Sequence, residues 1–302
     1  MEAGVRVAAA PAVPVRSTRT LVRDLVTLTK PKVQSLLLFT TVTTMYVAGD
    51  PSGGLVLLTC LGGAMSAGGA GAINHYIDRD IDAVMTRTST RPIPSGRLPA
   101  PVALWFGIGL GAASFLLLAV TVNPLAAALS LSGFLGYVFV YTLWLKRRTP
   151  QNIVIGGAAG AIPPLVAWAA VTGELSWAAV YLFAIVFYWT PPHFWALSLL
   201  MKGEYEKAGV PMMPVVRGEA ETRKQILLYT VLLVLLIGLP ACGGLFGTFY
   251  LVSQALLGLA FALLAFRLFR SKERRDALRL YLFSLAFLAL LFASMVVDHQ
   301  IV

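Results

Sequence analysis

Three side chains that carry oxygen recur at four-residue intervals in the segment INHYIDRDIDAVMTRTSTRPIPSGRL, residues 73–98. Asn74, Asp78 and Asp82 drift by only about 40° per step, so they share one face of a helix. Two carboxylates one turn apart repel each other unless a cation lies nearby. Mg²⁺ prefers hard oxygen ligands and completes its coordination with water and phosphate. The spacing predicts a Mg²⁺ site on Asp78 and Asp82, with Asn74 as a ligand or an orienting group.

The structural alternative for this cluster is a solvated helix end with Asp–Arg pairs. Asp is a poor helix former, and Asn74 still lies within an apolar run, which favours the metal site. Asp80 lies two residues from Asp78, so we expect it to point away from the shared face and to act behind the metal ligands or in the loop. His75 is adjacent to Asn74 in the sequence, but we expect it on another face and assign it no role.

Arginines follow the acidic segment directly, within TRTSTRPIPSGRL. The prolines and the glycine of this stretch prevent the helix from continuing. Arg87 and Arg91 therefore lie in a loop close to the carboxylates. Carboxylates followed by arginines beside apolar helices suit a Mg²⁺-bound diphosphate whose hydrocarbon tail runs back between the helices.

The composition indicates what kind of element positions this cluster. The chain has 302 residues, of which 58% are hydrophobic and 13% charged, whereas a soluble domain carries about a quarter charged residues. Apolar runs of about 20 residues are long enough to cross a membrane. Nine such runs are found, near 33–48, 54–74, 102–122, 125–145, 153–171, 176–197, 226–247, 249–269 and 277–297.

The distribution of basic residues predicts the orientation of these runs. If the N-terminus is cytoplasmic and the chain crosses nine times, all 24 Lys and Arg fall on the cytoplasmic side, as the positive-inside rule requires. We therefore predict an all-α, polytopic membrane bundle of nine transmembrane helices, with cytoplasmic cap loops after helices 2 and 6. Residues 1–28 form a cytoplasmic tail and residues 29–302 a single membrane domain. This topology explains the net charge of +10 without nucleic acid.

A second group of polar residues occurs in YWTPPHFWALSLLMKGEYEKAGVPMM, residues 188–213. Pro191 and Pro192 are predicted to break or kink the helix just before His193. An ionisable residue at that depth is a functional candidate, and the alternative is a hydrogen-bonded interfacial histidine. Glu204 follows, and we expect it to face the first acidic helix.

Two further stretches allow weaker predictions. Lys146 and Arg147 end the fourth predicted span, and either topology or contact with a diphosphate explains them. The segment IGGAAGAIPPLVAW, residues 155–168, is rich in small residues, which is typical of close helix packing in membranes. Cys60 and Cys242 lie in apolar spans and are interpreted as small core residues.

The motif N-x-x-x-D-x-x-x-D formed by Asn74, Asp78 and Asp82 resembles the first motif of the UbiA-type intramembrane prenyltransferases. TKPKVQSLLLFT, LKRRTPQNIVIGGAAGAIPPLVAWAAVTG and PPHFWALSLLMKGEYEKAGVPMMPVV extend the resemblance over most of residues 29–216, and most closely to the branch that farnesylates protohaem. The resemblance implies a nine-helix bundle around a lipid-accessible cavity in a bacterial plasma membrane. It implies farnesyl diphosphate and protohaem IX as substrates. A downstream haem A synthase or a terminal oxidase assembly would use the product.

The resemblance also implies roles for individual residues. Asp78 and Asp82 would hold Mg²⁺, and the basic side chains of Arg87, Arg91, Lys146 and Arg147 would bind phosphate oxygens. His193 would meet a haem propionate, meet the iron or steer water, and these three roles stay open. The second acidic motif of the aromatic prenyltransferases is incomplete, because Glu204 stands near its first position and Ala208 at its second.

Two rival functions follow from the same features. The first is prenylation of an aromatic or quinone precursor by an enzyme of the same superfamily. The second, from another class, is secondary transport of an anionic substrate. Transport requires a polar pathway across the membrane, whereas the charged residues of this chain gather at one end of the predicted spans.

Overall fold

The computed structural model describes residues 18–239 and 246–301, so residues 1–17 of the predicted tail, and Cys242, lie outside the described residues. The described residues form a bundle of helices joined by short connections. Their bounds are α1 Thr18–Leu28, α2 Pro31–Ala48, α3 Gly53–Ile77, α4 Arg79–Val84, α5 Ala100–Thr121, α6 Pro124–Leu135, α7 Asn152–Thr172, α8 Trp177–Leu200, α9 Lys202–Lys207, α10 Met213–Val216, α11 Gly218–Gly238, α12 Thr248–Ser271 and α13 Arg274–Ile301.

Six helical segments of the described chain are long and apolar enough to cross a membrane. They are α3, α5, α6 with its continuation to Leu145, α7, α12 and α13. Their number and composition indicate a multi-pass membrane protein. The other three predicted spans coincide with α2, α8 and α11, which have 18, 24 and 21 residues.

Glycines allow α3 and α5 to pack at backbone distance. A Cβ atom added to Gly69 would lie 2.6 Å from the carbonyl oxygen of Gly107, and a Cβ at Gly107 would lie 2.6 Å from that of Gly69. In α7, the glycines of the small-residue segment have the same effect, because a Cβ at Gly156 would lie 2.4 Å from the Tyr141 ring. Close packing through small residues is therefore confirmed.

Two more glycines of α3 admit the turn between α1 and α2. A Cβ at Gly68 would lie 3.0 Å from Cβ of Thr29, and one at Gly71 would lie 3.1 Å from the carbonyl oxygen of Leu28. Lys30 ends this turn in the left-handed region, with φ 55°. The last 11 residues of the predicted tail thus form a helix, α1, whose turn lies against α3.

Helix α6 does not continue as an α-helix to the end of its span. Residues Gly136–Leu145 form a π-helix, in which the Lys146 amide donates to the carbonyl of Tyr141, five residues earlier, at 2.9 Å. π-Helical turns are rare in proteins, and those that occur are often found at functional sites. This segment leads directly into Lys146.

Of the two predicted alternatives at Pro191–Pro192, the break is wrong and the kink stays a prediction. Helix α8 runs without interruption from Trp177 to Leu200 with both prolines inside it, and α7 likewise contains Pro163 and Pro164. Membrane helices tolerate proline where neighbouring groups compensate the freed carbonyls. The Thr190 hydroxyl donates to the Val186 carbonyl at 2.8 Å. The carbonyls that Pro191 and Pro192 leave without an amide donor are those of the next two residues, Phe187 and Tyr188.

The α3–α5 contact predicts opposite effects for two glycine substitutions in one helix. Gly69→Ala forces backbone apart and should lower the free energy of unfolding by about 1–3 kcal/mol. Gly63→Ala, where an added Cβ meets nothing within 4 Å, should be neutral or stabilise by about 0.5–1 kcal/mol. Thermal unfolding of detergent-purified protein measures both. Equal midpoints for the two variants would contradict the packing described.

Candidate active site

The acidic segment keeps its four-residue spacing across a junction between two helices. Asp78 stands between α3 and α4, its amide donates to the Asn74 carbonyl at 2.9 Å, and its carbonyl accepts from the Asp82 amide at 2.8 Å. Asn74, Asp78 and Asp82 are 3%, 1% and 3% exposed, whereas the side chain of Asp80 is 62% exposed. The three residues thus share one buried face and Asp80 points away from it, as the spacing predicts.

Asp78 is bound through one of its two oxygens. Its Oδ2 pairs with the Lys146 ammonium group and also accepts a hydrogen bond from Asn74 Nδ2 at 2.6 Å. Its Oδ1 is buried and accepts no hydrogen bond from the described residues, although the Arg147 guanidinium lies 3.7 Å away. The carboxylate therefore keeps lone pairs available for a further ligand.

Asp82 is paired with the loop that follows it. Arg91 NH1 donates to both carboxylate oxygens, at 2.8 and 2.7 Å, and the Thr88 hydroxyl donates to the Asp82 carbonyl at 2.9 Å. Because α4 ends at Val84, the chain is free to turn back and bring Arg91 to the carboxylate. The prediction that the prolines and glycine interrupt the helix here is confirmed.

Asn74 is held by a lysine that the sequence analysis counted only for topology. Lys30 Nζ donates to Asn74 Oδ1 at 2.6 Å, while Asn74 Nδ2 also reaches the Thr142 hydroxyl at 3.3 Å. Burial lowers the pKa of Lys30 to about 7, and the charges of Arg91 and Lys146 act in the same direction. The small residues of GGAGAIN indicate that another segment can approach α3 closely, but they do not identify the turn of Lys30 as that segment.

The expectation that His75 lies on another face is wrong. At about 100° per residue, His75 is about 60° from Asp78 and about 20° from Asp82 around the helix axis. The structure buries His75 to 1% exposure, close enough to Lys30, Arg91 and Lys146 for their charges to act on the ring. The sequence analysis compared His75 with Asn74 alone, and that comparison hid its position.

Two other arginines lie at the exposed edge of the cluster. Arg147 donates to both oxygens of Asp80 at 2.7 Å, and this contact lowers the pKa of Asp80 to about 2. Arg87 is exposed and makes no hydrogen bond or ion pair with another residue that the structure describes. Arg147 therefore lies beside the buried carboxylates, 3.7 Å from Asp78, whereas Arg87 faces solvent.

Glu204 joins the two polar loops, as expected from its position in the sequence. Its Oε2 accepts a hydrogen bond from the Thr86 amide at 2.6 Å, and its Oε1 accepts from the Thr86 hydroxyl at 3.1 Å. Both oxygens are therefore engaged in a contact between α9 and the segment after α4. A substrate contact by Glu204 stays a prediction.

His193 lies in an aromatic cluster formed by α8 and α13. Its ring stacks on Trp189 and Tyr281, with ring centroids 4.4 and 4.9 Å away, and Nδ1 lies 2.7 Å from the Ser284 hydroxyl. The side chain is 6% exposed. The contacts that the described chain gives His193 are thus separate from those of the carboxylates.

The donor set fits a divalent cation that also binds phosphate. The described ranges hold no group of three or more His, Cys, Asp and Glu residues able to enclose a metal ion. Mg²⁺ is usually held by one or two carboxylates and takes its other ligands from water and substrate phosphates. Asp78 and Asp82 supply two buried carboxylates. Oδ1 of Asp78, which accepts no hydrogen bond from the described residues, could serve as a metal ligand.

A membrane helix bundle with buried carboxylates and cations at one end defines an integral membrane protein with a site for a charged ligand. The chain belongs to the UbiA prenyltransferase family, which matches residues 36–291.

Two relatives that are more than half identical to this chain share a name. A protein of Roseiflexus sp. (strain RS-1) named protoheme IX farnesyltransferase is 54% identical over 93% of this chain, which covers 53% of that relative. A protein of Symbiobacterium thermophilum with the same name is 53% identical, over 92% of this chain and 94% of the relative. The chain therefore spans about half the length of the first relatives and nearly all of the second.

Solved structures share the fold at lower identity. A structure of digeranylgeranylglyceryl phosphate synthase superposes with a TM-score of 0.77 and 19% identity, over 94% of this chain and 100% of the other. A UbiA homolog from Archaeoglobus fulgidus bound to DMAPP and Mg²⁺ has a TM-score of 0.64 and 18% identity, over 91% and 98%. The UbiA-like membrane fold is therefore confirmed.

The buried pair predicts a large loss of stability when only one partner is removed. The side chains of Lys146 and Asp78 are 15% and 1% exposed. Lys146→Met leaves the buried carboxylate with only the more distant Arg147 guanidinium, 3.7 Å away, and should cost about 3 kcal/mol of unfolding free energy. Adding Asp78→Asn to this variant should restore part of the loss. Thermal or denaturant unfolding in detergent measures each variant.

The exposed carboxylate provides the control for this prediction. Asp80→Asn breaks a solvent-exposed pair and should change stability by about 1 kcal/mol or less. If Lys146→Met proved no less stable than Asp80→Asn, the Lys146–Asp78 pair would not be the buried interaction described.

Proposed function

We propose that this chain transfers a farnesyl group from farnesyl diphosphate to a vinyl group of protohaem IX. The allylic C–O bond breaks and diphosphate leaves. A C–C bond forms between the farnesyl C1 and the vinyl terminus, water adds to the other vinyl carbon, and one proton is released. The observation that carries the proposal is the buried pair Asp78–Asp82, with its cations, in a chain about half identical to relatives named for this activity.

The diphosphate end of the substrate belongs at the charged cluster. Asp78 and Asp82 would hold Mg²⁺, and Asn74, fixed by Lys30, orients Asp78 through its amide hydrogen bond. The metal ion supplies charge neutralisation for the departing diphosphate. Two structures of the UbiA homolog from Archaeoglobus fulgidus, one bound to DMAPP and Mg²⁺ and the other to GPP and Mg²⁺, support this assignment.

The cations of the site have two alternative partners. Without substrate, Lys146 and Arg91 neutralise the carboxylates of Asp78 and Asp82. When the carboxylates bind a metal ion, these ammonium and guanidinium groups become available to phosphate oxygens. Preorganised cations that face the position where negative charge develops lower the barrier to ionisation. Arg147 and Arg87 would extend the cationic surface towards solvent.

The acceptor contacts are proposed from different parts of the chain. His193 would contact the haem from within its aromatic cluster, where flat rings provide apolar surface. Glu204 would act on substrate through the loop that it holds at Thr86. An alanine at position 208, where aromatic prenyltransferases carry an acid, favours the haem acceptor over an aromatic or quinone precursor.

The same proposal covers topology and location. Nine membrane spans result if α2, α8 and α11 cross together with the six apolar segments. The positive-inside rule then places the N-terminus and the charged cluster in the cytoplasm, and we propose a bacterial plasma membrane as the location. A haem A synthase or a terminal oxidase assembly would receive the product.

Direct assay of the product tests the function. Purified protein incubated with Mg²⁺, farnesyl diphosphate and protohaem should give a haem heavier by one farnesyl group plus water in mass spectrometry. Asp78→Asn and Asp82→Asn should each remove most turnover, and the double variant should be little worse, because the two act as one unit. Asp80→Asn should retain most activity.

Two outcomes would overturn parts of this proposal. Prenylation of an aromatic acid without any reaction of haem would reverse the acceptor assignment. A larger loss in Asp80→Asn than in the other two variants would contradict the assignment of the metal to the buried face.

The lowered pKa of Lys30 predicts how diphosphate binding depends on pH. Above a pKa of about 7, Lys30 in the free protein loses its proton, and an anion must restore it on binding. Affinity for inorganic diphosphate should therefore fall as pH rises from about 7, by up to about tenfold per unit. Lys30→Met should bind more weakly near neutral pH but show a flatter profile.

Lys32 offers the matched control, because it is an exposed lysine in the first turn of α2, two residues after Lys30. Lys32→Met should keep the wild-type pH profile of diphosphate affinity, measured by titration calorimetry. Identical profiles for wild type and Lys30→Met would show that Lys30 does not titrate against the ligand.

A further inference from the structure

His75 is a buried polar side chain that the proposed mechanism does not use. It is 1% exposed, and neither ring nitrogen has a hydrogen-bond partner among the described residues. The neighbouring polar groups differ, because Asn74, Asp82, Lys30 and Lys146 all have partners. A buried imidazole without a partner costs stability, so its presence requires a reason.

The position of His75 brings it to the charged cluster. It follows Gly71 by one helical turn on α3, and Gly71 is the residue that lies against the turn containing Leu28 and Lys30. Three cations, Lys30, Arg91 and Lys146, are close enough to act on the ring electrostatically. Three positive charges from separate segments of the chain thus act on the imidazole.

This environment selects an anion as the missing partner. A neutral imidazole has one N–H donor and one acceptor nitrogen. Nearby cations attract an oxyanion, and an oxyanion accepts the ring N–H. Among the nearest carboxylates, Asp82 is engaged on both oxygens by Arg91, and Asp78 Oδ1, although free of hydrogen bonds, accepts none from His75. We therefore look for the accepting oxygen in a ligand.

We propose that His75 is a further substrate-binding residue, a neutral imidazole that donates one ring N–H to a phosphate oxygen of the bound diphosphate. The inference rests on the proposed function only in taking a diphosphate as the anion. A haem propionate offers the same acceptor chemistry, and separate binding measurements distinguish the two sources.

The test combines stability and affinity in one substitution, His75→Phe. Phenylalanine keeps a flat ring and removes two unpaired nitrogens, so the ligand-free variant should unfold at a higher temperature than wild type. Its affinity for inorganic diphosphate in the presence of Mg²⁺ should fall about tenfold or more, because a hydrogen bond to a charged group is lost. Protohaem affinity should stay unchanged.

A second substitution and a matched histidine complete the design. His75→Gln retains a neutral N–H donor and should recover most of the diphosphate affinity. His193→Phe, which removes a histidine paired with Ser284, should lower the unfolding temperature. If His75→Phe does not fold, His75→Leu, a smaller apolar replacement, is measured in its place.

The outcomes separate this inference from the proposed function. Unchanged diphosphate affinity in the apolar variant overturns the inference, as does a loss confined to protohaem. A Gln variant as weak as the Phe variant also overturns it, since the donor would then not be what matters. If wild type binds diphosphate with Mg²⁺ yet does not farnesylate haem, the proposed function fails while the role of His75 is still measurable.

Discussion

Two carboxylates buried at one end of an apolar bundle determine how the surrounding chain is arranged. Burying a charge is costly unless a partner of opposite sign accompanies it. Asp78 and Asp82 are almost completely buried, so each needs a cation at contact distance. Lys146 comes from the end of the π-helix, Arg91 from the loop after α4. The paths of these segments follow from that electrostatic requirement.

The same requirement underlies the exchange of partners that we propose for this site. A carboxylate saturated by fixed hydrogen bonds would have no reason to bind a metal ion, whereas Asp78 keeps one buried oxygen without a hydrogen bond. In the proposed function, the cations that neutralise these carboxylates would bind phosphate oxygens when a metal ion takes their place.

The sequence predicted the parts of this arrangement that depend on local periodicity. The spacing of Asn74, Asp78 and Asp82 placed three side chains on one face, and the exposed Asp80 opposite, because helical geometry is local. The composition predicted the helical membrane bundle, because the length and polarity of an apolar run are also local properties of the chain. The contact of Glu204 with the acidic segment also followed, since both loops lie at the same end of their helices. The number of spans and the roles of the site residues stay predictions.

Features that depend on tertiary packing escaped the sequence analysis. Lys30 reaches Asn74 only because Gly68 and Gly71 let the α1–α2 turn lie against α3, and a run of glycines does not say which segment approaches it. The continuous path of α8 through Pro191 and Pro192 depends equally on neighbours, as local proline chemistry alone favours a break. His75 was an error of reasoning, because the angle to Asp82 was available from the sequence.

The three cations share a property that regular helix packing cannot supply. Lys30 leaves a left-handed turn, Lys146 follows a π-helix, and Arg91 lies in a loop of successive turns. Straight helices packed side by side present short side chains to one another, and the glycines of α3 and α5 bring them closer still. At this site, the long basic side chains that contact Asn74, Asp78 and Asp82 all come from positions where the backbone departs from the α-helix. Strained or irregular backbone concentrates at functional sites, and here each departure delivers one positive charge to the acidic face of α3 and α4.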